Sequence, residues 1–397
     1  MPHTRPPRPP GRPLYAAPGP TNIPDEVMQA IALPVEDFAA PDFLALYHQC
    51  VEGVRQVVGS RNEVFFYAAA GHATWEATFV NLFSPGDTIL MLETGIFSGF
   101  WTGIGRAFGL NIKTLPADWR RGVDLDRLSE ALAQDNAHRI SAVAVVHNDT
   151  ASGVTLSAAE VRARLDAVGH PALFLLDIVS SAGSLPLALD AWGVDAAMGS
   201  SQKGLMALPG IGFTVAGPRA LARHAQARLP RAYFDWSRML NRPLRHSLGT
   251  VPANLFRGLA AGLELLAAEG MHAVLARHRR LAGATRAAIE AWGGAGQGPV
   301  LYCQDPSRRS DSVSTILLPP GSAAGDLRAV ARDRLNVNFG GDLGLMQDRI
   351  FRIGHMGEIN EAMLLGMLGA AELAMHQVGI AHVSGINAAL HALRATV

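Results

Sequence analysis

The chain has 397 residues, 49% of them hydrophobic and 17% charged, which is enough to bury large apolar cores and to form two domains. Its 34 acidic and 34 basic side chains balance, which argues against nucleic acids and membrane surfaces as partners. No apolar run reaches the roughly 18 residues of a membrane span, and no hydrophobic leader is evident, so we expect a cytoplasmic protein. Cys50 and Cys303 are too few for a disulfide framework or a zinc site, and we expect no metal.

The N-terminal residues 1–17 are rich in proline and arginine, and this composition predicts a disordered, polyproline-like arm. A stiff turn that contains Gly19 follows at residues 17–24. A helix is predicted from about Pro41, because apolar residues recur at helical spacing from Phe43 to Val54.

A strand, a turn of small residues and a helix are predicted at residues 64–67, 68–74 and 75–83. Small residues let the backbone approach an anion, and the free amides of a helix N-terminus bind one, so this turn is a candidate phosphate site. Neither GxGxxG nor GxxxxGK occurs in the chain, so a dinucleotide-binding fold and a P-loop are not supported.

Short apolar runs at residues 140–147, 171–177 and 194–198 read as buried strands of one sheet. Strands alternate with helices from about residue 64 to 217, which predicts an α/β fold with a doubly wound, mostly parallel sheet. Asp177 ends one of these runs, and ligands of open α/β sheets bind at that edge.

Lysine is rare in this chain: Lys113 and Lys203 are the only two among 34 basic residues. Lys113 is predicted near the end of a strand and solvated. Lys203 lies in a glycine-flanked turn just after a predicted strand, and a lysine, unlike arginine, can lose its proton and form a Schiff base. Lys203 and Asp177 are expected to meet over one pocket. Pyridoxal phosphate (PLP) chemistry needs this pair, a lysine for the aldehyde and a carboxylate for the pyridine nitrogen.

The C-terminal part begins after an arginine-rich stretch that we interpret as a solvated face. Amphipathic helices are predicted at residues 252–270 and 274–292, followed by a glycine-rich break and a strand at 311–318. Arg352 lies in a further strand, and a guanidinium can bind the planar carboxylate of an amino acid or 2-oxo acid through two parallel hydrogen bonds.

Four motifs, at residues 147–154, 177–183, 199–210 and 351–357, together resemble the class V aminotransferases of PLP fold type I. Within that family the chain is most similar to the serine-, aspartate- and alanine-glyoxylate group, from about Pro18 to the C-terminus. The resemblance implies a homodimer with shared active sites. It also implies a large PLP-binding domain with a mostly parallel sheet at residues 18–270, and a smaller C-terminal α/β domain at 271–397.

The resemblance also implies roles for individual residues. Lys203 and Asp177 would be catalytic, while Arg352 and Gly19 would bind the substrate. Phe97 would stack on the cofactor ring, and Thr250 would reach the neighbouring subunit's phosphate. The full set of implied cofactor-binding residues is Ala70, Gly71, His72, Phe97, Thr150, Asp177, Val179, Gln202, Lys203 and Thr250.

The implied activity is transfer of an amino group from a small amino acid, of serine, alanine or aspartate type, to a 2-oxo acid, with glyoxylate expected. The mechanism would be ping-pong through a Schiff base on Lys203. Three positions depart from the family: Ala70 replaces a serine or threonine, Gly249 a tyrosine, and Phe38-Ala39-Ala40 a His-Arg-Ser segment. Two alternatives stay open, a PLP-dependent lyase or aldolase and a pyridoxamine-pyruvate-type aminotransferase, in which phosphate contacts are not needed.

Overall fold

The computed structural model describes residues 9–241, 249–294, 296–344 and 346–395. Its strands are β1 (Leu14–Ala16), β2 (Glu63–Ala69), β3 (Thr88–Leu92), β4 (Asn111–Leu115), β5 (Ile140–Val146), β6 (Asn148–Asp149), β7 (Val154–Thr155), β8 (Leu173–Asp177), β9 (Ala196–Ser200), β10 (Gly210–Ala216), β11 (Val300–Leu301), β12 (Val313–Leu317), β13 (Val337–Gly341) and β14 (Ile350–Gly354). Its α-helices are α1 (Asp25–Ile31), α2 (Pro41–Val58), α3 (Gly71–Leu82), α4 (Ile96–Ala107), α5 (Leu125–Ala133), α6 (Ala158–Ala167), α7 (Pro218–His224), α8 (Trp236–Leu240), α9 (Ala253–Glu269), α10 (Met271–Trp292), α11 (Ala324–Leu335), α12 (Glu361–Gln377) and α13 (Ile386–Arg394).

A seven-stranded sheet in the order β2-β10-β9-β8-β5-β3-β4 forms the centre of the large unit. The strands from β9 to β4 run parallel, and β10 is antiparallel to both of its neighbours. Strand β8 is buried along its whole length, and its alternate residues belong to two different apolar cores. Phe174 and Leu176 face one core, and Leu173 and Leu175 face the other, as the two-residue period of a strand requires. The predicted mostly parallel sheet is confirmed.

A second sheet, in the order β1-β13-β14-β12-β11, packs with α10, α12 and α13 around a separate apolar core. We propose that the large and small units divide at Gly270, between α9 and α10. The large-unit core extends as far as Val274, and the small-unit core takes α10 from Leu281 onward.

The composition of residues 1–17 predicts a disordered arm, and this prediction is wrong for Leu14–Ala16, which form strand β1. Leu14 donates its amide to the carbonyl of Asn336 at 2.9 Å, and Leu14–Ala16 pair in parallel with β13. Ala16 is fully buried in the small-unit core. Backbone pairing and this burial order the end of the segment despite the prolines that precede it.

Helix α3 begins at Gly71, four residues before the predicted start at Trp75.

Within the described ranges no single helix is long and apolar enough to cross a membrane. One pair of helices, Ala253–Glu269 and Met271–Trp292, has the length and composition of a membrane span when taken together, but the two are bent by 87°.

Candidate active site

A cavity of about 260 Å³ opens at the carboxyl edge of the large sheet. Val146 ends β5, Asp177 ends β8, and Lys203 follows β9 by three residues, so parallel strands bring them to one place. The cavity is lined by nine of the predicted site residues: Gly19, Ala70, Gly71, His72, Phe97, Asp177, Val179, Gln202 and Lys203.

Lys203 presents its amine to the N-terminal segment. Its Nζ donates a hydrogen bond to the carbonyl oxygen of Pro18 at 2.5 Å. The pKa of Lys203 is lowered to about 7, chiefly by burial and secondarily by the nearby positive charge of Arg352, while Asp177 and Asp149 oppose the shift. An amine with this pKa is substantially neutral at neutral pH and is therefore able to act as a nucleophile or base.

Gly19 is the point where the N-terminal segment passes closest to the lysine. Its φ is +130°, and a Cβ built there would lie 2.5 Å from both Cε and Nζ of Lys203. Thr21 anchors the same segment, because its hydroxyl donates to the carbonyl of Lys203 at 3.1 Å and its amide donates to that of Gln202 at 3.3 Å. The segment therefore leaves room only for a glycine beside the amine.

Asp177 is buried at the end of β8. Its Oδ1 accepts the backbone N–H of Val179 at 2.7 Å. Burial raises the pKa of Asp177 to about 7, against the opposing effects of the Val179 amide and of Lys203. A carboxyl group in this balance can share a proton with a basic ring nitrogen placed against it.

The N-terminus of α3 forms the end of the cavity predicted to hold an anion. Ala70 precedes the helix and offers no hydroxyl, and a Cβ on Gly71 would lie 3.0 Å from Cγ2 of Val179. The His72 ring lies 5.5 Å from the Trp75 ring and 5.3 Å from the Phe100 ring, between centroids. Burial lowers the pKa of His72. The Gln202 side chain accepts a hydrogen bond from the hydroxyl of Ser200.

Arg352 lies in β14 of the small unit and contacts Thr150 of the large unit, and neither residue is among those that line the cavity. Its Nη1 donates to the carbonyl oxygen of Thr150 at 2.7 Å, and its Nε donates to that of Gly341 at 2.9 Å. Burial lowers its pKa to about 10, so the guanidinium stays charged. The two carbonyls use two of its five N–H donors. The hydroxyl of Thr150 is buried and, within the described part of the chain, has no hydrogen-bond partner.

Thr250 is exposed and does not line this cavity. Gly249 beside it is exposed too, and residues 246–248 of the same predicted segment lie outside the described residues. Phe38 packs against the large-unit core, and residues 38–40 are not among those that line the cavity.

Sequence reasoning assigned no role to Asn148 and Asp149, which belong to the site. Asn148 lines the cavity, and its side-chain amide donates to the carbonyl of Ser180 at 3.0 Å and to the hydroxyl of Ser312 at 2.7 Å. Asp149 is fully buried, and its charge raises the pKa of Lys203, Asp177 and Arg352. Both residues closely follow the buried strand β5, and this position is the sequence signal that could have indicated them.

A mostly parallel seven-stranded sheet with a lysine and a carboxylate at its carboxyl edge, beside a smaller sheet, is the architecture of the PLP fold type I enzymes. The family model of the class V aminotransferases matches residues 15–341. The L-aspartate-glyoxylate aminotransferase of Paracoccus denitrificans is 39% identical over 383 residues, 96% of each chain. The serine-glyoxylate aminotransferase of Methylorubrum extorquens is also 39% identical, over 98% of this chain and 97% of that one.

Among solved structures, the pyridoxamine-pyruvate aminotransferase of Mesorhizobium loti superposes with a TM-score of 0.88 at 26% identity, covering 98% of this chain and 100% of that one. The chain therefore belongs to the class V aminotransferase family, and it is a transaminase.

Proposed function

We propose that this transaminase uses PLP to move the amino group of a small amino acid, of serine, alanine or aspartate type, to a 2-oxo acid, with glyoxylate as the acceptor, by a ping-pong mechanism. The observation that carries the proposal is that Lys203 and Asp177 line one cavity, while the charge of Arg352 lies close enough to lower the pKa of Lys203. Relatives that share 39% identity over nearly the whole chain are aspartate-glyoxylate and serine-glyoxylate aminotransferases, which supports this acceptor.

The residues fit PLP. The cavity is lined by the flat ring of Phe97, the amine of Lys203 and the buried carboxyl group of Asp177. The buried hydroxyl of Thr150 has no hydrogen-bond partner within the described part of the chain. When bound, PLP supplies an aldehyde that condenses with amines and a pyridinium ring that withdraws electrons. Lys203 would hold the aldehyde, Asp177 the ring nitrogen and Phe97 the ring face. The start of α3 and the amide of Gln202 would hold the phosphate.

The chain's own residues then divide the remaining work. Arg352 binds the carboxylate of the amino or oxo acid and so fixes which bonds at Cα face Lys203. Lys203, whose pKa is about 7, accepts the Cα proton of the substrate at Nζ. Asp177, whose pKa is about 7, would keep the pyridine nitrogen of PLP protonated, either as a carboxylate or by sharing its proton. Gly19 and Pro20 cover the lysine from the N-terminal side.

A second candidate function is a pyridoxamine-pyruvate-type aminotransferase, which would act on an unphosphorylated vitamer. One observation favours it: within the described ranges the cavity lining contains no arginine, and Ala70 supplies no hydroxyl at the anion end. The likeness to the pyridoxamine-pyruvate aminotransferase of Mesorhizobium loti agrees with this candidate.

We further propose a homodimer in the cytoplasm, in which Thr250 reaches the neighbouring subunit's phosphate. Thr250 is exposed and is not among the residues that line its own chain's cavity, which supports this arrangement. Light scattering coupled to gel filtration measures the assembly directly, and a monomer that retains full activity would contradict it.

The deciding experiment takes absorption spectra of the purified protein loaded with PLP, then with single amino acids and no oxo acid. We expect the visible band of lysine-bound PLP to be replaced by the spectrum of pyridoxamine phosphate with one small donor, and to return when glyoxylate is added. Catalytic release of ammonia or an aldehyde without any oxo acid would instead establish a lyase or aldolase. Turnover of pyridoxamine with pyruvate, in protein that does not retain PLP, would establish the second candidate.

A further inference from the structure

Asp149 is a buried carboxylate that the proposed chemistry does not use directly. It ends β6, immediately before Thr150, and is 0% exposed. Its carboxylate lies so close to Gly95 that a Cβ at that residue would overlap it. A buried carboxylate is unfavourable unless several donors compensate it, so its hydrogen bonds indicate what it does.

One oxygen of this carboxylate is bonded to the helix that carries the ring-stacking residue. Oδ2 accepts the backbone N–H of Phe97 at 3.1 Å, in the first turn of α4. The first amides of a helix have no partner within the helix, and a carboxylate there also interacts favourably with the helix dipole. Asp149 therefore fixes the start of α4 and with it the backbone of Phe97.

The other oxygen holds the turn that contacts Arg352. Oδ1 accepts the backbone N–H groups of Ala151 and Ser152, both at 2.9 Å, and the hydroxyl of Ser152 at 3.3 Å. Thr150 lies within this turn, and its carbonyl receives Nη1 of Arg352 at 2.7 Å. The same turn is attached to the small unit, because the hydroxyl of Thr315 donates to the carbonyl of Ala151 at 3.0 Å.

We propose that Asp149 is a positioning residue whose single carboxylate holds the ring-stacking Phe97 directly, and the carboxylate-binding Arg352 through the turn that contains Thr150, in fixed relation to each other. The inference rests on the proposed function for the roles of those two residues, and adds the part that couples them. Asp149 is fully buried and is not among the residues that line the cavity. Its charge also lies close enough to influence Lys203, Asp177 and Arg352, which are the charged groups that face it from the neighbouring elements.

The test uses two variants that disturb the same carboxylate differently. Asp149→Asn removes the charge and replaces one acceptor oxygen by an N–H₂ donor. Gly95→Ala keeps the charge but displaces the carboxylate from the Phe97 amide. The matched control is Asp195→Asn. Asp195 is also a buried carboxylate, and it accepts the backbone N–H of Phe174 at 2.7 Å. It precedes β9, whereas Lys203 follows that strand at its other end.

We expect both variants to lower kcat/KM for the amino donor about tenfold to a hundredfold, the loss typical of a buried charge-assisted hydrogen bond. We also expect them to reduce the preference for an amino acid over the corresponding amine that lacks a carboxylate, because Arg352 is misplaced. The visible circular dichroism of bound PLP should change as the ring tilts. Asp195→Asn should lower the melting temperature and leave the preference and the dichroism unchanged.

The inference is overturned if both variants keep the wild-type preference for the carboxylate, or if Asp195→Asn reduces it equally. Hydrogen exchange at the Phe97 amide gives a readout that needs no activity, and we expect faster exchange in Asp149→Asn. If the wild-type protein binds no PLP, the proposed function fails, while unchanged exchange at Phe97 would still reject the positioning role separately.

Discussion

Gly19→Ala should reduce activity by displacing the side chain of Lys203, although the lysine itself is unchanged. The new methyl carbon would lie 2.5 Å from Cε and Nζ of Lys203, whereas carbon atoms in contact settle at about 3.5 Å or more. The lysine must therefore move by about 1 Å, and it would lose its present hydrogen bond to the carbonyl of Pro18. A misplacement of about 1 Å at a reacting group reduces the rate by about a hundredfold, or roughly 2.7 kcal/mol in transition-state stabilisation.

A backbone effect accompanies the steric one and has to be separated from it. Alanine held at a positive φ that only glycine adopts readily is destabilising by about 1–3 kcal/mol. Gly86, with φ of +84° and no atom within 4 Å of a built Cβ, is the matched control, because Gly86→Ala brings the backbone strain without the contact. Both variants should melt at lower temperature than the wild type, and only Gly19→Ala should lose activity.

The assay compares kcat/KM for transamination with the rate at which the cofactor-free protein binds PLP, for Gly19→Ala, Gly86→Ala and the wild type. The reasoning is refuted if Gly19→Ala retains kcat/KM within about threefold of the wild type, well short of the loss expected from such a misplacement. It is equally refuted if Gly86→Ala loses as much activity, since the loss would then come from backbone strain alone.

Arg352→Lys should raise KM for the oxo acid about tenfold or more, because an ammonium cannot make the paired hydrogen bonds of a guanidinium, whereas Arg349→Lys, on a side chain that donates to the Leu318 carbonyl, should leave KM unchanged. Labelling of Lys203 by an amine reagent in the cofactor-free protein should rise as pH passes about 7 and then level off, because burial lowers its pKa. In the denatured chain the same lysine should react only near its ordinary pKa of about 10.4, and identical profiles in the two states would contradict the assignment. Since the folded chain binds fewer protons than the unfolded chain between these values, this group should make the fold more stable as pH rises across that window.

The meeting of Lys203 and Asp177 at one cavity could be predicted from sequence because its signals are local. Asp177 ends a five-residue apolar strand and Lys203 follows another, and parallel strands bring such ends together whatever the rest of the fold does. The sequence pattern predicts the start of α3 too late, because the alanines and glycine before Trp75 are typical of a loop, whereas Gly71 lies in the first turn of the helix. Small residues do not distinguish a turn from a helix start by pattern alone.

Strand β1 and Asp149 could not be predicted in the same way. The order of Leu14–Ala16 depends on pairing with β13, more than 300 residues away in the chain. The role of Asp149 depends on amides of Phe97 and Ser152 that approach it only in the folded protein.

The chemistry available at the site can be inferred from residue types and strand periodicity, because both are properties of short segments. Which of these groups share an environment depends on how the chain folds. Burial places the pKa values of Lys203 and Asp177 both near 7, and Gly19 shows how closely the N-terminal segment covers the amine. Burial and close approach depend on contacts between distant segments, which no local pattern encodes.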